Sequence, residues 1–98
     1  MKPNDRQQQI LATALALAVK QGYMHVTREN LSDRCGVAPS LISHYFGTMT
    51  QLRRAIIGEA IVTENLAVLL QGIAARDRRA CGISDELRAK VLSHAMNV

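Results

Sequence analysis

Cysteine, proline and aromatic residues are all scarce here: 98 residues include two cysteines, two prolines, two tyrosines, one phenylalanine and no tryptophan. Two cysteines, Cys35 and Cys81, cannot staple a small secreted domain, which excludes a disulfide scaffold. With hydrophobic residues at 48% and aromatics at 3%, the core has to be built from Leu, Ile, Val and Ala. No stretch combines a basic flank, an apolar run and a small-residue cleavage site, and no run of about eighteen apolar residues occurs. Neither a signal peptide nor a membrane span is expected, and a cytoplasmic location is.

Catalytic and metal-binding patterns are missing as well. Asp85 and Glu86 are adjacent carboxylates, but there is no Gly-rich phosphate loop and no Ser-His-Asp constellation. The chain is therefore not expected to be an enzyme. His25, His44 and His94 share no metal-ligand spacing with the two distant cysteines, so no metal and no cofactor is expected either. Cys35 falls at the inner end of a short helix, where a thiol serves as a small core filler. Cys81 sits beside Gly82 in a loop with no second thiol near it.

What is present in excess is positive charge, and only in one half. The formal net charge is +4; residues 1–56 hold seven Lys/Arg against three Asp/Glu, and residues 57–98 hold five against five. Such polarity is expected when one half meets a polyanion.

That basic half contains VTRENLSDRCGVAPSLISHYFGTMTQL, Val26 to Leu52, which reads as two short helices joined by a turn at Gly36. Thr27 can accept an N–H from the first turn of a helix running to about Cys35, and Asn30 can stand in for the usual capping-box Glu. Gly36 supplies the left-handed backbone that ends it. Pro39 opens a second helix, to about Tyr45, at the position whose N–H is unpaired in any helix. Leu31, Val37, Ile42 and Phe46 would face inward, leaving Ser40, Leu41, Ser43, His44 and Tyr45 on or near the outer face. Small, hydroxylic and imidazole side chains suit base edges and phosphates.

Elsewhere, Asn4 or Asp5 can cap a helix to about Gln21, with Ile10, Leu11, Ala14, Leu15, Ala18 and Val19 as its apolar face. Tyr23, Met24 and Val26 then lead back toward the core. Thr48 or Thr50 can open a long fourth helix reaching about Ala75. Its second half is apolar over too much of its circumference for one small core: Ile61, Val62, Leu66, Val68, Leu69, Leu70 and Ile73 cannot all face it, so some, with Ile61, Val62, Leu66, Leu69, Leu70 and Ile73 as the candidates, are expected to face another subunit. After a loop from Arg76 to Gly82, Ser84 caps a last helix whose stripe of Leu87, Val91 and Ala95, with Leu92, would join that interface through Leu87 and Val91. The expected fold is all-α: a three-helix bundle containing a helix-turn-helix, a long fourth helix and a short C-terminal dimerisation helix. Residues 1–56 would form the DNA-binding domain and residues 57–98 the helical dimerisation region.

Residues 6–52 resemble the N-terminal DNA-binding domain of TetR-family transcriptional repressors. The resemblance rests on Arg6, Ile10, Leu11, Ala14 and Leu15, on Gly22, Tyr23, Val26 and Thr27, on Cys35, Gly36, Val37 and Ala38, and on Ile42, His44, Tyr45, Phe46 and Leu52. It implies that Thr27 caps its helix and touches phosphate, that Arg28 reaches a phosphate or a base, and that Ala38, Pro39, Ser40, Leu41, Ser43 and His44 face the groove. It further implies that Tyr45 and Thr48 hold the DNA backbone. Two positions depart from the family pattern, Met49 where a lysine is usual and Ser43 where a tyrosine is usual. The length departs too, since members normally continue into a long helical domain that binds an inducer and dimerises. Two helices per subunit leave little room for a ligand cavity, so a small-molecule inducer is not expected.

The resulting expectation is a minimal homodimeric repressor that binds double-stranded DNA at an inverted-repeat operator. A heterodimerising corepressor or antirepressor would share the apolar face without DNA affinity of its own. A nonspecific architectural DNA binder would bind tightly without sequence preference.

Overall fold

Seven α-helices and one 3₁₀ turn make up the fold in the computed structural model, which describes residues 3–97. No strand occurs among the described residues. Helix α1 spans Pro3–Gln21. Asn4 and Asp5 lie inside its first turn rather than at its cap, and the Asp5 carboxylate suits the positive end of the helix. Ile10, Ala14, Leu17 and Ala18 are buried, Leu11 and Leu15 pack at the margin of the core, and Val19 points outward. The chain leaves α1 through a 3₁₀ turn at Tyr23–His25 that buries Tyr23 and directs Val26 into the core, while Met24 faces outward instead of inward.

Helices α2 (Arg28–Cys35) and α3 (Pro39–Phe46) follow, then α4 (Met49–Thr63), opened by Thr48. The expected long fourth helix stops here. Glu64 takes a left-handed conformation with φ 53° and ψ 47°, and Asn65, whose Oδ1 accepts the Val68 N–H at 3.1 Å, caps a separate helix α5 (Leu66–Ala74). A left-handed residue without a glycine's freedom costs about 1 to 2 kcal/mol. Turning the chain lets α5 lay its apolar face on the molecule's own core, and burying a single large aliphatic side chain stabilises by about 1.5 to 3 kcal/mol. Within the expected loop Arg76 to Gly82 the chain forms a short helix α6 (Arg78–Cys81), capped by Asp77, and Ser84 caps α7 (Asp85–Met96) as anticipated.

α1 packs against α4 and α2, α5 packs against α7, and α6 sits on α4 and α5. The buried side chains form one continuous cluster from Ile10 to Val91. This changes the reading of the apolar second half. Leu69 and Val91 are fully buried and Leu87 nearly so, all within a single chain, so these three are core residues and not interface residues. The break at Glu64 is the physical reason, because a continuous helix could not have turned Leu69 inward against α4 and α7. Of the other residues expected at a subunit interface, Val62 is 78% exposed, and Ile61, Leu66, Leu70 and Ile73 are partly covered at the edge of the core.

Close approach is built in at Gly72 on α5. A methyl group there would lie 2.6 Å from the Ala80 Cβ of α6 and 3.0 Å from the Ile57 Cδ1 of α4, so the three helices meet where no side chain fits. A polar side chain ties α5 to the end of α1: Gln71 accepts the Tyr23 N–H at 2.8 Å and donates to the Ala18 carbonyl at 2.9 Å, satisfying backbone groups where α1 ends.

Candidate nucleic-acid interface

The two helices of the motif have the boundaries their end signals dictate. Thr27 Oγ1 accepts the Asn30 N–H at 3.1 Å, and Asn30 Oδ1 accepts the Thr27 N–H at 2.9 Å, a reciprocal cap in which asparagine does the work usually given to Glu or Gln. Asn30 also donates to the His25 carbonyl at 3.1 Å, so the cap grips the incoming chain as well. At the other end Gly36 adopts φ 70° and ψ 32°, and the Ser32 carbonyl accepts from both Gly36 and Val37. Val37 then reaches the margin of the core. Pro39 is the first residue of α3, and Ala38 precedes it with an extended backbone and no side-chain cap.

The inward set is as expected: Leu31, Ile42 and Phe46 are buried, and Val37 packs at the edge. This fixes the opposite face of α3 outward. Ala38, Pro39, Ser40 and His44 are exposed, and Leu41, Ser43 and Tyr45 are half-buried. Tyr45 packs its ring between those of His44, at 5.5 Å between centroids and edge-on, and Phe46, at 6.4 Å. The phenol is thereby anchored to the core at one end of its ring system.

A second reciprocal cap opens α4. Thr48 Oγ1 accepts the Gln51 N–H at 3.2 Å while Gln51 Oε1 accepts the Thr48 N–H at 2.9 Å. In both caps the threonine uses a lone pair, and a hydroxyl that accepts one bond still has its own proton to donate. Thr27 and Thr48 are thus each equipped to offer an O–H to an anionic oxygen while holding a helix in place.

Met49, where the family pattern usually has a lysine, is half-buried against the core. Cations that the motif did not single out stand further along α4. Arg54 is exposed, with its carbonyl accepting from Arg79 Nη1 at 3.1 Å, and Arg53 has its Nε buried without a partner among the described residues. Gln51 also went unnoticed, although a Thr-x-x-Gln signature at 48–51 marks it in the sequence. Among the described residues no cluster of three or more His, Cys, Asp or Glu could hold a metal ion, and no helix is long and apolar enough to cross a membrane.

The structure brings Arg28 onto α3. Its guanidinium donates from Nη1 to Ser43 Oγ at 2.8 Å, joining two residues that the sequence had offered as separate contacts.

Compared with known proteins, residues 10–56 match the family model described as bacterial regulatory proteins, tetR family. No curated protein and no solved structure gives a match to the chain.

Proposed function

We propose, from the premise that residues 10–56 are a DNA-binding domain of the tetR family, that the protein is a homodimeric repressor reading an inverted-repeat operator. The observation that carries this is the outer face of α3, where exposed Ser40 and His44 stand on a helix locked to α2 by a buried seam and flanked by the two threonine caps. Ala38, Pro39, Ser40, Leu41, Ser43 and His44 enter the major groove, with Arg28 beside them. Thr27, Tyr45 and Thr48 hold the phosphates that set the register.

Residues 1–56 form the reading part and residues 57–98 the dimerising part. Leu66, Leu70 and Ile73 recur at four- and three-residue spacing on α5, and a second copy would complete their burial together with Ile61 and Val62 of α4. A two-fold dimer places two α3 helices in successive major grooves, so half-sites lie about 10 bp apart.

Selection of binding sites from random duplex DNA tests this reading. The expected outcome is an inverted repeat bound by about twice the chain mass, with affinity that falls steeply as salt rises. Tight binding with no selected sequence would favour an architectural role. Absence of DNA binding alongside association with another regulator would favour a corepressor or antirepressor.

A further inference from the structure

Arg28 occupies an unfavourable place for a cation. It is the first residue of α2, at the positive end of the helix, and among the described residues its guanidinium has no carboxylate partner. Helix stability therefore does not account for it. Its Nη1 instead donates to Ser43 Oγ on α3 at 2.8 Å, a side-chain bond that spans fifteen residues of sequence with both groups half-buried.

A guanidinium carries five N–H donors in a rigid fork, and this contact uses one. The hydroxyl keeps its own proton and a second lone pair. Both residues thus reach the outer face of the motif with hydrogen-bonding capacity to spare and with the long arginine side chain already held in one place.

Building on the DNA-reading function above, we propose that Ser43 is a positioning residue for Arg28: its hydroxyl holds the guanidinium against α3 so that the two side chains read one base pair as a unit. The base matched by a fork of two parallel donors is guanine, through O6 and N7. Arg28 makes the base contact, and Ser43 acts through it by removing the rotamer freedom the arginine would otherwise lose on binding.

The test uses the full chain and the duplex that the wild-type protein selects, beside random duplex. Arg28→Ala should weaken binding to the selected duplex about tenfold or more and relax the preference for one guanine. Ser43→Ala should weaken it about three- to tenfold and relax the same position, with binding to random duplex unchanged. The double variant should bind no more weakly than Arg28→Ala, and Ser43→Thr, which keeps the hydroxyl, should retain most of the affinity. Because positioning leaves the number of phosphate contacts untouched, the salt dependence of Ser43→Ala should match that of wild type.

Losses that multiply in the double variant, or a salt slope in Ser43→Ala shallower by about one unit, would overturn the proposal and make Ser43 an independent contact. Those results leave the DNA-reading function standing. A wild-type protein that selects no sequence at all would overturn that function and this proposal with it. Circular dichroism melting of each variant separates a lost contact from a lost fold, and Ser43→Thr supplies the comparison if Ser43→Ala melts early.

Discussion

The α2–α3 segment and the α4–α7 segment are held by different physics. In the first, short helices with few buried side chains are defined at each end by local hydrogen bonds: the Thr27–Asn30 box, the Gly36 turn, Pro39, and the Thr48–Gln51 box. In the second, helices are positioned by side chains that meet from distant places, Leu69, Val91 and Ile57 in the core and Gly72 against Ala80. Locally defined elements can carry exposed polar side chains on one face, because their stability does not depend on that face. Elements defined by packing have little surface to offer for recognition.

The comparison makes graded predictions. The largest effect should come from the packed region: Leu69→Ala, at a fully buried position, should cost about 2 to 5 kcal/mol in denaturant unfolding. Since the core is continuous, probes on Tyr45 in the reading head and on α7 should report the same midpoint. Two separate transitions would show that the halves are independent, contrary to the single cluster.

Next in size, His44→Ala should cost about 1 to 3 kcal/mol of affinity for the selected operator while leaving the melting temperature where it was, as its side chain is exposed. A fall in stability of similar size would mean the reading face is also structural. Gln71→Ala removes the partner of the Tyr23 N–H and should destabilise by about 1 to 3 kcal/mol, a test of the polar tie between α5 and the end of α1. Smaller again, Thr27→Ala should cost about 1 kcal/mol through the lost cap. It should also weaken binding to selected and random duplex alike; a loss confined to the selected duplex would place Thr27 on a base.

The smallest effect concerns pH. Burial, reinforced by the Asp77 carboxylate and opposed by Arg53, raises the Tyr23 phenol above its ordinary value of 10.0. The folded state then holds this proton more tightly than the unfolded state. The corresponding stability is fully present below about pH 10 and is lost as pH climbs through the raised folded-state value. Wild type should lose stability above about pH 10 more steeply than Tyr23→Phe. Parallel curves would show that the phenol titrates alike in both states. The Lys90–Glu64 ion pair, at 2.9 Å but half-exposed on both sides, is screened by solvent, so Lys90→Ala is the near-neutral control.

Much of the motif was legible because its signals lie within four residues of the groups they satisfy. Thr27, Gly36 and Pro39 mark the ends of α2 and the start of α3 correctly, and the inward placement of Leu31, Ile42 and Phe46 follows from their spacing. The division of the fourth helix was less visible. Asn65 is an ordinary capping residue before an apolar run, but Glu64, which must adopt the left-handed backbone, is neither glycine nor asparagine. Without that break, the surplus of apolar residues looked as though only a second subunit could cover it.

By itself, then, the sequence determined the all-helical class, the limits of α2 and α3, and the polar character of the outer face of α3, all of which depend on neighbours close in the chain. Tertiary structure alone decided that Leu69, Leu87 and Val91 are core, that Gln71 closes the end of α1, and that Arg28 leans on Ser43. Each of these joins residues far apart in sequence, and the geometry that brings them together is set by how whole helices pack against one another, which no local pattern encodes.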